Sequence, residues 1–421
     1  MRREAGIYMK IIISARGSSD LFPLSRAYYP KELIHFGNRT SLLQKAMTRF
    51  GGMVQKKDII AVTHEKFLYQ VRAETESLRL EGMHVLAEPD SFGTAASVAL
   101  AAAYCRQTQK SPDDELLFHI PAGLWIDDKI DFAALLAPYE EKARAGKILL
   151  FGTDQFPAVP AQSDWESGIL RSGRIFLCTI AAAQQEMKQC FPEAVPVMHA
   201  GRDKAVRTMS AVPDVAQREF PNSRSDNVEK AAWPDVASDP VRNLEDALRL
   251  CGDSQESQVS GDVVTRSCRN TSIIGGRRLV AAAGLSDLMI MDMDDVLLVA
   301  RKGYSQDVRD ISDQLKAMRR REAFEEKTLY FEWGWYSDVY EEDGLCVFKY
   351  VVRPREQIAL QVHYDLSQTW HVISGTGTAA LNQEEIPMAE GKRVPVDRGV
   401  WYSVVNTGHE PLVFMAIQVK S

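Results

Sequence analysis

Residues 11–33 read IIISARGSSDLFPLSRAYYPKEL. An apolar run that gives way to a small Gly/Ser-containing turn is how α/β proteins open a nucleotide-binding loop, because small residues let backbone N–H groups approach a phosphate. The continuation, with Pro23, Arg26, Pro30 and Lys31, supplies the rigid turns and cations that such a loop uses. Between the two halves the chain offers Arg16, Ser18 and Asp20, where a working phosphate loop carries glycines and a cation.

Outward from this stretch the pattern alternates. Ser41–Phe50 has the spacing of an amphipathic helix, Ile59–Thr63 and Met83–Ala87 are strand-like, and Thr94–Cys105 is an Ala-rich helix suited to close packing on a sheet. Leu116–Ile120 and Ile148–Phe151 add buried strands, so a mostly parallel, Rossmann-like α/β sheet covered on both faces is expected. The pattern weakens from about Ala200 to Val259, where only Leu244–Leu250 stands out as a helix. Gly261–Val299 breaks into short β runs punctuated by Gly275, Gly276 and Gly284, as in a stacked β segment, and Asp307–Arg321 is helical again. From Thr328 onward come short strands and turns, the pattern of a sandwich or jelly roll. The expected division is 9–255, an α/β domain; 256–324, a β-rich linker and helix; and 325–421, an all-β domain.

Composition narrows the function. The net charge of −7 argues against nucleic acid as the main partner, since that affinity rests on clustered Lys and Arg. No run approaches the ~20 apolar residues of a membrane span, and a cytoplasmic location is expected. The 6 cysteines have no paired spacing, which points to reduced structural thiols and away from a zinc site or a disulfide framework.

The order of motifs resembles the type II mannose-1-phosphate guanylyltransferase and mannose-6-phosphate isomerase family, whose members join a nucleotidyltransferase domain, a β-rich linker and a cupin jelly roll. The matching stretches are PLSR and YPK (23–31), EP (88–89), PAGLWI (121–126), GDVV (261–264), LLVARKGYSQDV (297–308), WGWY (333–336), IALQVH (358–363) and TWHVISGTG (369–377). The resemblance implies attack of mannose-1-phosphate on the α-phosphorus of GTP, with magnesium as the cofactor if the chain is active. It assigns catalytic roles to Arg26 and Lys31, and nucleotide contacts to Arg16, Gly17, Ser18 and Glu88.

The chain departs from the family where the chemistry is densest. Against the family's GGxGxR loop stand Ala15, Arg16, Gly17, Ser18, Ser19 and Asp20, so three glycines are lost and an acid replaces the arginine. Against the family's Pro-Ala-Asp-His stand Pro121, Ala122, Gly123 and Leu124, which removes one of two carboxylates expected on magnesium. The second is matched by Asp235, displaced in Trp-Pro-Asp. In the cupin, His-x-His-Arg-x-Glu-His-Trp is answered by His363, Tyr364, Asp365, Leu366, Ser367, Gln368, Thr369 and Trp370, and the later histidine falls at Tyr402. His363 and Asp365 are the only remnant of a metal site, expected to share one face, and zinc-dependent isomerisation is not expected.

Three functions follow from the resemblance and its departures. The first is a catalytically impaired relative that binds a sugar phosphate or nucleotide sugar, or regulates an active partner. The second is an active guanylyltransferase with a rearranged site, and the third a sugar-binding cupin on an inert scaffold. Association with itself or with an active family member is expected.

Overall fold

The computed structural model describes residues 9–15, 21–36, 40–78, 82–88, 93–152, 175–190, 225–232, 238–241, 243–251, 259–382 and 384–420. The chain divides into two compact units, Met1–Ala323 and Phe324–Ser421.

In the first unit seven strands build one sheet: β1 (Met9–Ala15), β2 (Ile59–His64), β3 (His84–Glu88), β4 (Leu116–Pro121), β5 (Ile148–Gly152), β6 (Ile175–Thr179) and β7 (Val228–Ala232). Their spatial order is β7-β5-β6-β4-β1-β2-β3. β6 runs antiparallel to both neighbours and the other pairings are parallel. Every residue of β1 is buried, as an isoleucine run demands of a central strand covered on both faces.

One face is covered by helices α1 (Leu42–Thr48) and α2 (Leu68–Ser77), through Leu43, Met47 and Val71, with Phe50 on the turn after α1. The other is covered by α3 (Gly93–Gln107) and α4 (Ile180–Cys190), through Val98, Ala99, Ala102, Ala183 and Met187. The alanines of α3 leave no bulk between its backbone and the sheet, which is why an Ala-rich segment suits this layer. α1 starts at a reciprocal cap: Ser41 Oγ accepts from Gln44 N, and Gln44 Oε1 accepts from Ser41 N.

The linker is a parallel coil. Val259–Ser260, Ser272–Ile274 and Leu288–Asp292 stack in register, and Val263–Arg266 pairs with Val280–Ala283. Gly261 makes the corner between them: its φ is +93°, and a Cβ there would stand 2.2 Å from the Gly275 carbonyl oxygen. Leu297–Arg301 closes the coil antiparallel to Leu288–Asp292. Helices α5 (Leu244–Cys251) and α6 (Ser305–Ala317) flank it. A third core joins coil to α/β domain: Leu21, Phe22 and Leu24 pack with Leu244 and Leu248 of α5, Met289, Met291 and Leu298 of the coil, and Val308 of α6.

The second unit is a jelly roll of two antiparallel sheets. Six strands, Thr328–Phe331, Gly334–Glu342, Leu345–Val352, Leu412–Lys420, Leu366–Ser374 and Arg393–Val396, lie side by side in that order. The second sheet orders Gln357–Val362, Trp401–Asn406, Thr376–Leu381 and Glu384–Ala389. Between them pack Trp370, Val372, Val394, Tyr402, Val404, Leu412 and Phe414.

Candidate functional site

In the α/β unit the chain passes from β1 to β2 on one side and later places β4 on the other. Such a reversal opens a crevice beyond the carboxyl ends of the two strands, where open α/β sheets receive ligands. Here Ser14 of β1 stands beside Pro121 of β4, and Ala122 N donates to Ser14 O at 2.9 Å. The segment after β1 that holds Arg16, Gly17, Ser18 and Asp20 lies outside the described residues, as does Asp235.

Lys31 and Gly123 meet at this end of the sheet. A Cβ built on Gly123 would stand 3.2 Å from Lys31 Cε and 3.5 Å from Glu32 Oε1. Lys31 Nζ donates to the Val241 carbonyl at 3.0 Å, which leaves two of its three protons available to another acceptor. Val241 follows the strand Ser238–Pro240, itself paired antiparallel with Leu124–Ile126 directly after Gly123. Two residues absent from the sequence reading thus border Lys31: the buried Glu32, and Val241, whose backbone role leaves no signature in side-chain type.

Arg26 goes elsewhere. Its guanidinium is 2% exposed and forks onto Asp295 of the coil, with Nη2 at 2.6 Å from Oδ1 and Nη1 bonded to Oδ2. A buried guanidinium needs a carboxylate with matching geometry, and a tight turn, Arg26 N to Tyr29 O and Tyr29 N to Arg26 O, presents it there. Arg26 and Lys31, five residues apart, are therefore held by different partners.

Glu88 closes β3, two strands and so about 10 Å from β1. Its side chain is fully buried, and Ser97 Oγ of α3 donates to Oε2 at 3.2 Å. The structure does not bring it together with Lys31.

The cupin remnant differs from expectation. The strand ends at Val362, so the alternation that would aim His363 and Asp365 to one side no longer operates. Asp365 is exposed on the following turn, whereas His363 Nε2 lies 2.8 Å from the hydroxyl of Tyr402. Tyr402 is buried edge-on against Trp370, ring centroids 5.1 Å apart, and burial holds its phenol above the ordinary pKa while the Gln368 amide opposes. Gln368 Oε1 accepts from Trp370 Nε1 at 3.0 Å and from Gln418 Nε2 at 3.4 Å. Aromatic rings and amide bonds occupy the space that metal ligands would need. Among the described residues no group of three or more His, Cys, Asp or Glu side chains is placed to hold a metal ion, in either unit. Around His363 the described side chains therefore do not offer the donor set of a cupin zinc site, and the carboxylate matched to the magnesium site, Asp235, lies outside the described residues.

No helix among the described residues is long and apolar enough to cross a membrane.

Three family models match in succession: "Nucleotidyl transferase" over residues 10–159, "MannoseP isomerase/GMP-like beta-helix domain" over 261–315, and "Mannose-6-phosphate isomerase C-terminal" over 318–421. Curated relatives span the whole chain. Mannose-1-phosphate guanylyltransferase RfbM of Salmonella typhimurium is 24% identical over 464 residues, covering 98% of this chain and 94% of the relative. Xanthan biosynthesis protein XanB of Xanthomonas campestris pv. campestris is 24% identical over 453 residues, covering 98% and 96%. A crystal structure of a protein from Thermus thermophilus, described as a mannose-1-phosphate geranyltransferase, superposes with a TM-score of 0.59 at 19% identity, covering 73% of this chain and 99% of its own; at that identity the likeness concerns fold alone.

Proposed function

The chain belongs to the family of proteins that join a nucleotidyl transferase domain, a β-helix and a mannose-6-phosphate isomerase C-terminal domain, and from that premise we propose that it is a catalytically impaired member. It binds a nucleotide sugar or sugar phosphate at the β1/β4 crevice, in the cytoplasm, and serves GDP-mannose and polysaccharide precursor synthesis as a sensor or as the regulator of an active relative. The observation that carries this reading is Gly123, bare where the resemblance calls for a metal-holding aspartate, with the Lys31 stem beside it. Phosphoryl and nucleotidyl transfer depend on positioned positive charge around the transferring group. Lys31 offers one such charge, enough to bind a phosphate, while one of the two carboxylates that the resemblance places on a divalent cation is replaced by Gly123.

The test is calorimetric titration with GTP, GDP-mannose and mannose-1-phosphate, with and without magnesium, followed by a turnover assay. Binding of GDP-mannose or mannose-1-phosphate with turnover far below the ~1–1,000 per second of ordinary enzymes is expected. Turnover within that range overturns the proposal.

A second reading, an active mannose-1-phosphate guanylyltransferase with a rearranged site, is favoured by the full-length match to relatives so named and by the place of Lys31 at the crevice. It requires replacement of Lys31 to abolish turnover; undiminished turnover removes it.

A further inference from the structure

The pair Arg26–Asp295 joins residues 269 positions apart in the chain. Arg26 belongs to the segment 21–36 that follows the loop after β1 and carries Lys31. Asp295 lies on the turn between the last two coil strands, closed by Met293 N donating to Val296 O at 2.9 Å. At the end of the strand Leu288–Asp292 and on this turn, three acids face three guanidinium groups. Asp292 takes Arg278, Asp294 lies 3.5 Å from Arg277, and Asp295 takes Arg26. The first two partners are exposed coil residues, with side chains 69% and 78% accessible; Arg26 alone is buried and comes from the α/β domain.

Around this pair the 21–36 segment leans on linker atoms. Leu21, Phe22, Leu24 and Ile34 share a core with Met289, Met291, Leu298 and Val308, and Ala27 N donates to Ala323 O at 3.3 Å. The apolar contacts are non-directional and fix the distance between segment and coil. The two-pronged ion pair is directional and fixes register, because a carboxylate accepts the guanidinium fork in one orientation.

We propose that Asp295 is a positioning residue for the crevice: through Arg26 it sets the conformation of segment 21–36 and thereby the place of Lys31, so that the β-helix governs the affinity of the phosphate-bearing ligand. The part concerning affinity rests on the binding function proposed above. The part concerning conformation does not.

Two readouts on the full chain keep these parts separate. Amide hydrogen exchange compares the wild type with Asp295→Asn, which keeps the shape and removes the charge, and with Asp295→Glu, which keeps the charge. Asp295→Asn speeds exchange across 21–36 at least tenfold, leaves 59–64 and 116–121 unchanged, and Asp295→Glu restores near-wild-type protection. Unchanged exchange in 21–36, or a uniform rise across the first unit, overturns the proposal, the latter marking a merely structural role. Titration with GDP-mannose then gives about tenfold weaker binding for Asp295→Asn and less than threefold for Asp295→Glu; equal weakening by both overturns the affinity claim. A wild type that binds no GDP-mannose sinks the binding function and leaves exchange to decide the positioning claim. Should Asp295→Asn not fold, Arg26→Lys keeps the charge and removes the fork, and loosening confined to 21–36 is again expected, with unaltered exchange counting against it.

Discussion

Lys31 Cε stands 3.2 Å from the point where a Cβ on Gly123 would be, at the end of the crevice between β1 and β4. The contact is with the far end of a flexible side chain, and the backbone at Gly123 is not among the positive-φ glycines, so a larger residue is admissible. Gly123→Asp returns a carboxylate to the position the family resemblance marks. One carboxylate suffices for magnesium when ligand phosphates complete the octahedron. We expect GTP binding to gain a magnesium dependence of at least tenfold, with thermal stability lowered by roughly 1–3 kcal/mol when magnesium is absent, because the new carboxylate stands close to the buried Glu32. Calorimetry with and without magnesium checks this; an unchanged magnesium response means that the missing carboxylate is not what limits the site.

Lys31→Met keeps the stem beside Gly123 and removes the ammonium. Loss of its bond to the Val241 carbonyl costs about 1 kcal/mol of stability. A unit charge ~4 Å from a phosphate contributes about 1 kcal/mol in water and about 4 at intermediate dielectric, so GDP-mannose affinity should fall by roughly 5- to 1,000-fold. A neutral ligand such as mannose serves as the control and should be unaffected. Equal losses for both would show that the variant distorts the crevice and that charge is not the cause.

Much of the fold is legible along the chain, because buried parallel strands are continuous apolar runs: β1, β2 and β4 fall where the apolar run that opens residues 11–33, Ile59–Thr63 and Leu116–Ile120 indicate. β6 and α4 are harder, since the strand Ile175–Thr179 runs antiparallel into the middle of the sheet and follows a stretch without repeating pattern. At the site, Lys31 and Gly123 are each marked by a motif, yet their meeting is not, nor are Glu32 and Val241 beside them. Gly123 lies 92 positions away, and a glycine signals only what it lacks. The partner of Arg26 is invisible because nothing in DMDDV states which of Asp292, Asp294 and Asp295 faces the α/β domain; the register of the coil decides that. His363 and Asp365 fail together for a simpler reason: period-two alternation holds only as far as Val362, where the pleat stops.

Cys105 and Cys178 of the α/β unit are shielded. Burial pushes Cys105 up to about 12, and burial drives Cys178 higher still, whereas Cys268 is half-buried in the coil. The thiolate is the reactive form, so iodoacetamide at pH 8 should alkylate Cys268 and spare Cys105 and Cys178 until the protein unfolds. Peptide mapping reads each separately. The sign of the pH effect follows from linkage: from the ordinary value near 9 up to about 12 the unfolded chain releases the Cys105 proton and the native state retains it, so stability falls as pH rises through that window. Denaturant midpoints should drop from pH 8 to 10, and Cys105→Ala should remove part of the slope. Ready alkylation of Cys105 in the native protein would contradict its buried place.

The His363–Tyr402 bond bears on whether the jelly roll can take a metal. The phenol is 3% exposed and its hydroxyl lies 2.8 Å from Nε2, so Tyr402→Phe strands the imidazole nitrogen in the half-buried mouth of the roll. A loss of about 1 kcal/mol is expected, seen as a lower melting temperature of the second unit while the first is unmoved. Zinc should stabilise neither protein. With the hydroxyl present, the metal must break the bond to reach Nε2; with it gone, one imidazole still falls short of the three protein ligands usual for a catalytic zinc. Gln368 does not make up the difference, because its Oε1 is engaged by Trp370 and Gln418. Melting curves with and without equimolar zinc decide the point. A rise of several degrees in the wild type would mean that His363 leaves Tyr402 for a metal and that the roll keeps a centre its side chains do not display.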